Sequence, residues 1–167
     1  MTKADNRLIK HTVHQLLELQ SGKLWMGDNF NKKLDSITEE QAFIKPLPSL
    51  HSVAELVAHI TAWNEDLILK IKNGVGQLDF TDEPNWPANN WLKELGWNEI
   101  RKRYEDSVSE IVNLLKEKED TFLNERYYDQ DFDGEFEYSF AVDGILHHII
   151  YHLGQIGIVI KLVCVTV

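Results

Sequence analysis

The amino-acid sequence predicts an all-α protein, a four-helix bundle with long irregular connections. Three observations carry this expectation. Four stretches repeat apolar residues at helical spacing. Between them lie segments dense in Gly, Pro and Asn, which break helices. The 167 residues, 43% hydrophobic and 26% charged, suit one domain (1–167) folded around a single core.

The first helix is expected from about Asp5 to Gln20, where Leu8, Ile9, Val13, Leu16, Leu17 and Leu19 recur at roughly helical spacing. "SGKLWMGDNF" interrupts it with two glycines, and a shorter amphipathic piece runs from Phe30 to Ile37. "TEEQAFIKPLPSLH" reads as a loop because of Pro46 and Pro48. The second long helix opens with Ser52 and Glu55, an S-x-x-E capping box in which hydroxyl and carboxylate each take a backbone N–H. It runs to Asn73, with Gly74 as its C-cap. "VGQLDFTDEPNWPANNWLKELG" is an irregular connection with a short turn near Trp91–Leu95. The third long helix spans Trp97 to Asn124, with Ile100, Tyr104, Val108, Ile111, Leu114 and Leu115 as its buried stripe. "RYYDQDFDGEFEYS" fits either a small hairpin or a loop. The last helix is expected from an N-cap at Ser139, through Ile145, Ile149, Ile156 and Ile160.

Charge removes several function classes. The formal net charge is −10, from 27 acids against 17 bases, and the densest basic run is Arg101–Arg103. A nucleic-acid binder needs a basic face to neutralise phosphates, so no nucleic-acid partner is expected, and no anionic membrane. No uncharged apolar run reaches eighteen residues, so no membrane span is expected. "MTKADNRLIK" lacks the apolar core of a secretory signal, which makes the cytoplasm the expected compartment. The single cysteine, Cys164, has apolar neighbours in "KLVCVTV" and reads as a buried, inert thiol.

The chemistry concentrates in the histidines. His147, His148 and His152 fall within six residues of the last apolar stretch. His148 and His152 are four apart, one above the other on a helix and about 6 Å apart along its axis. That spacing suits two imidazoles converging on one metal ion. His59, at the centre of the second long helix between Leu56 and Ile60, is the candidate third ligand from a facing helix. Three histidines with open positions for water is the arrangement of a catalytic zinc-type site. The plainer reading, partly buried histidines each with one satisfied nitrogen, stays open on spacing alone. His147 should face a neighbouring helix or solvent. His51 reads as a surface or cap residue, and His11 and His14 as surface or interface residues. Trp63, one turn after His59, and Tyr151 are expected in the core or as pocket walls. Gln155, three after His152, is placed to hold that ligand from behind. Gly154 and Gly157 suggest a close helix–helix contact.

Two of these segments, and a third, resemble a known family. "HHIIYHLGQI" resembles the H-x-x-x-H-x-G-Q ending of the DinB-like (YfiT-like) superfamily, and "HSVAELVAHITAW" its second-helix motif, whose histidine is the third ligand. "GKLWMGDNFNKKL" resembles the first-helix region of one subgroup. The resemblance implies an up-down-down-up order of helices, a homodimer, and a divalent metal on His59, His148 and His152. It further implies a metal-dependent enzyme that activates a low-molecular-weight thiol for transfer to a small electrophile, or a hydrolase or isomerase of that type. Zn, Ni, Fe and Mn all suit three imidazoles. The competing expectation is a non-catalytic, stress-related helical-bundle binding protein with a structural metal or none.

Overall fold

The computed structural model describes residues 6–165, so the expected helix start at Asp5 lies outside it. The chain is mostly helical. Helix α1 (Arg7–Ser21) is followed by two short helices, α2 (Phe30–Leu34) and α3 (Glu39–Ala42). The long α4 (Val53–Asn73) leads through a 3₁₀ turn (Glu83–Asn85) to α5 (Asn89–Leu95) and α6 (Trp97–Lys116). A second 3₁₀ turn (Asp120–Asn124) precedes the antiparallel hairpin of β1 (Arg126–Asp129) and β2 (Gly134–Glu137), and α7 (Tyr138–Val165) closes the chain.

Helix α4 packs most extensively on α6 and then on α7, and α1 leans on α6. The stripe Ile9, Val13, Leu16 and Leu19 of α1 is buried, and meets a core that includes Ile60, Ile111, Ile149 and Ile156 at 0% exposure. Tyr104 stacks at a tilt on Phe30 with centroids 4.9 Å apart, which ties α2 to α6.

Helix α4, which carries His59, starts as the sequence dictates. The Ser52 hydroxyl accepts from Glu55 N at 3.1 Å, and Glu55 Oε2 accepts from Ser52 N at 2.8 Å. At its far end Gly74 adopts φ +75°, a left-handed cap that suits a residue without Cβ. At the start of α1, Asn6 offers no side-chain cap; the Asp120 carboxylate accepts from Leu8 N and Ile9 N, both at 2.9 Å.

The structure corrects several expectations. "TEEQ" is a helix, α3, because Thr38 and Gln41 form a second reciprocal capping box. Helix α2 ends at Leu34, short of Ile37. The turn near Trp91–Leu95 is a seven-residue helix, α5. Helix α6 stops at Lys116 rather than Asn124: past Leu115 the next inward positions are charged, and Phe122 reaches the core from the 3₁₀ turn instead. Ser139 is no cap, since β2 runs directly into α7 and Tyr138 is the first helical residue. Tyr138 anchors that junction, its hydroxyl donating to Lys70 O at 2.6 Å. Cys164 is exposed, not buried, because it lies on the outer side of α7 beside inward-facing Val163. A Cβ at Gly154 would meet nothing within 4 Å, so that glycine marks no close contact, and at Gly157 only the tip of Lys33 is near. Helix α7 is, by length and composition, apolar enough to cross a membrane. Here Val142, Ile145, Ile149, Leu153, Ile156 and Val163 form one wall of the core.

Candidate metal centre

Helices α4 and α7 bring His59, His148 and His152 together. The Nε2 atoms of His59 and His148 are 3.0 Å apart, as are those of His148 and His152. One ring nitrogen from each of the three lies within 4.8 Å of the others. His59 and His152 are buried and His148 is half-buried.

The groups behind the rings set which nitrogen carries a proton. His59 Nδ1 lies 2.8 Å from the backbone oxygen of Asn85, which can only accept. His152 Nδ1 lies 2.6 Å from Gln155 Oε1. Both Nδ1 atoms therefore hold the proton, and both Nε2 atoms present lone pairs to His148. A single N–H on His148 cannot point well at both. Its own Nδ1 is buried and has no hydrogen-bond partner. Burial, reinforced by His152 and His59, holds His148 at a pKa of about 3. Burial holds His59 at about 4, against the opposing bond to Asn85. Burial likewise lowers His152. All three are neutral at pH 7, which is the form that binds metals. Three lone pairs that converge on one point suit a cation there. Ligands about 2.0–2.1 Å from a tetrahedral ion stand about 3.3 Å from each other. The two 3.0 Å edges need to open by a few tenths of an ångström, and the third, which lies within 4.8 Å, needs to draw toward the same length; small turns of the rings do both, so the donor set fits a divalent ion.

The irregular segment between α4 and α5 builds the surroundings. Asn85 is fully buried. Its Oδ1 accepts from Trp63 Nε1 at 2.8 Å, and its Nδ2 donates to Phe80 O at 2.7 Å. The next residue, Trp86, lies flat between two imidazoles, 3.8 Å from His59 on one face and 3.8 Å from His51 on the other. Beside the histidines opens a cleft of about 620 Å³. It continues to Lys70, whose Nζ lies 2.8 Å from Asp129 Oδ2 and 2.9 Å from Asp66 Oδ2. The Asp129 contact is a directed hydrogen bond; the Asp66 contact is a charge contact only. Tyr127 donates its hydroxyl to Asp129 at 2.9 Å. Burial raises the Asp129 pKa, but Lys70 and these donors outweigh it and leave it below the usual carboxylate range. A separate cleft of about 320 Å³, between α4, α5 and α6, holds Glu65, Glu83 and Arg103 but no histidine.

Of the residues singled out in the sequence, His59, His148, His152 and Gln155 converge. Trp63 is a half-buried wall of the cleft, edge-on to His148 with centroids 6.3 Å apart. Tyr151 is not in the core: it is 63% exposed at the rim, edge-on to His152. His147 is exposed, one position round the helix from His148, and His11 and His14 are exposed on α1. His51 is not a plain surface residue, since it stacks on Trp86 and lines the cleft. Asn85, Trp86, Lys70 and Asp129 were not singled out. None belongs to a periodic motif, and the Pro- and Asn-rich "EPNWP" placed the first two only in an irregular connection.

Comparison with known proteins gives this arrangement a family. A sequence model of the DinB superfamily matches residues 24–156. The chain belongs to the DinB superfamily. The matched region takes in α4 and the three histidines of α7. "GKLWMGDNFNKKL", likened to the family's first-helix region, lies after α1, in the following loop and α2. Among solved structures, a DinB-like protein, YjoA from Bacillus subtilis, superposes with a TM-score of 0.64 at 16% identity, covering 90% of each chain. At that identity the likeness speaks for the DinB-like fold alone. No curated protein matches the chain.

Proposed function

We propose that this DinB superfamily protein binds a divalent metal ion through His59, His148 and His152 and acts as a metal-dependent enzyme on a small electrophilic substrate, with a low-molecular-weight thiol as co-substrate. The observation that carries the reading is the pair of second-line bonds. Asn85 O and Gln155 Oε1 hold protons on the far nitrogens, so that the near ones converge as lone pairs. When bound, an ion on three neutral imidazoles retains its charge and supplies Lewis acidity that lowers the pKa of a water or thiol beside it. The chain's own residues do the rest. Trp86 fixes the plane of the His59 ring, Trp63 and Trp86 exclude water from one side, and the open cleft admits substrate. Three protein ligands beside an accessible cleft favour this reading over a structural metal, for which a closed four-ligand cage is the rule. A hydrolase or isomerase using the same ligands is the nearest variant. Zn, Ni, Fe and Mn remain the candidate ions.

Elemental analysis of protein purified without a histidine tag tests metal binding, followed by a screen pairing low-molecular-weight thiols with small electrophiles. Less than a tenth of an equivalent of metal after incubation with each ion, and again after chelator treatment and reloading, would overturn the reading. We further propose an up-down-down-up helix order and a homodimer whose interface uses the exposed outer face of α7, where Ile150 and Ile158 are 45% and 61% exposed. Light scattering should then give about twice 19.4 kDa. The charge of −10 predicts no salt-sensitive binding to duplex DNA.

A further inference from the structure

We propose that the cleft beside the three histidines takes an elongated, largely apolar and uncharged molecule, with an oxygen acceptor at the end away from the histidines. The proposal rests on the reading of this cleft as the substrate site and names the class of molecule that fits it.

The length comes from α4. His59 and Lys70 both line the cleft and are eleven residues apart. At 1.5 Å per residue, the two ends are about 16 Å apart along the helix. A volume of about 620 Å³ is within the usual range for a small-molecule site. The middle is open because α7 presents Ala141 and Gly144 there. A Cβ built at Gly144 would meet nothing within 4 Å, so this glycine keeps a gap that no neighbouring side chain fills.

The apolar character comes from the rim. Phe80, Phe132 and Phe140 line the cleft while 68%, 60% and 46% exposed. Phe132 and Phe140 meet edge to face at 5.5 Å, and Phe80 is tied to the same hairpin by its N–H, which donates to Asp131 Oδ1 at 2.9 Å. Large exposed rings gathered on one opening are the surface that an apolar ligand covers.

The head group follows from Lys70. The ammonium has three N–H donors. Asp129 accepts one of them, the Asp66 carboxylate stands 2.9 Å away as a charge contact, and no further hydrogen-bond acceptor is present among the described residues, although the side chain is only 8% exposed. A ligand oxygen can accept a further N–H. An anionic oxygen would sit beside Asp66 and Asp129, two carboxylates that already exceed the single ammonium, with Asp131 a third on the cleft wall. A cationic head would face Lys70 itself. An uncharged hydroxyl or carbonyl oxygen meets neither objection.

The test uses n-alkanols of four to ten carbons as probes, titrated calorimetrically into the metal-free protein and again after metal loading. Affinity should rise with each methylene, up to about fourfold per step. The n-alkanoate and n-alkylamine of equal length should bind at least tenfold more weakly than the alkanol. Gly144→Leu should abolish the length dependence. It removes a helix-weakening glycine and points into open space, so circular dichroism and metal uptake should stay as in the parent protein. Alkanol affinity that is flat with length, or a length dependence that survives Gly144→Leu, would overturn the apolar cleft. An alkanoate or alkylamine that outbinds the alkanol would overturn the head-group assignment. Because the alkanol series is read without metal, its failure is separate from failure of metal binding, which elemental analysis reports.

Discussion

His148→Ala separates a ligand from a core residue by whether its effect depends on metal. In the metal-free protein the His148 ring is half-buried and its Nδ1 is buried without a partner. An unsatisfied buried nitrogen costs about 1–3 kcal/mol. Truncation removes that cost along with a similar amount of ring packing, so the metal-free variant should unfold within about 1 kcal/mol of the parent. Ile149, the next residue, is fully buried, and Ile149→Ala should cost about 2–5 kcal/mol. With metal present the two losses become similar in size, and only the metal-dependent part tells them apart. An ion at one hundred times its dissociation constant stabilises the parent by about 2.7 kcal/mol. For a chain of this size that raises the midpoint by about 5–10 °C. His148→Ala should lose that rise and Ile149→Ala should keep it. The assay is calorimetric or dichroic melting of chelator-treated protein, with and without each candidate ion. A His148→Ala variant that keeps the full rise, or one whose metal-free form loses more than about 3 kcal/mol, would refute the assignment of His148 as a ligand held in readiness.

The other expectations are briefer. His147→Ala should leave metal content and melting unchanged, since His147 is exposed beside the site; equal loss of metal in His147→Ala and His148→Ala would place the site on the wrong face of α7. Gln155→Leu removes the acceptor on His152 Nδ1 and should weaken metal binding by about 10- to 100-fold in chelator competition, with the fold retained. The metal-free protein should lose stability as pH falls. Folded His59 and His148, at about 4 and about 3, lie below the unfolded value of 6.5, so the unfolded chain takes up protons first. Their contribution is complete above pH 6.5 and is lost on acidification through about pH 4 for His59 and about pH 3 for His148. Each group adds a slope of up to about 1.4 kcal/mol per pH unit, and urea midpoints that stay flat between pH 6.5 and 4 would show that these rings are not buried neutral.

What was legible in the sequence is what repeats. Ser52 and Glu55 announced the start of α4 because a capping box needs only two side chains three residues apart. His148 and His152 were legible as a pair because a helix puts positions four apart on one face. Thr38 and Gln41 form a box of the same kind, but it heads only one turn and the prolines a few residues later give the whole segment the composition of a loop. The hairpin was undecided, although Asp133-Gly134 is a turn dipeptide and Asp133 does take a positive φ of 48°. Asn85 was out of reach altogether. Its bond to His59 uses the backbone oxygen, which every residue has, and joins positions 26 apart across a segment with no period. The Lys70–Asp129 pair spans 59 residues, and nothing in either neighbourhood points to the other.

This division has a physical basis. The ligands themselves are on α4 and α7, where a packed helix fixes each Cα–Cβ direction and Ile60 and Ile149 lock the backbone beside them. Apart from Gln155 on α7 and Trp63 on α4, the groups that orient and enclose them come from the α4–α5 connection and the hairpin. Those segments could not hold Nε2 atoms 3.0 Å apart by their own backbone order. They are held in turn by side chains: Asn85 closes its loop through Trp63 and Phe80, and Asp129 Oδ1 accepts from the N–H groups of Asp131 and Phe132. A substitution in either segment should therefore change how the histidines are oriented or how the cleft is walled, while the helices that carry them stay packed.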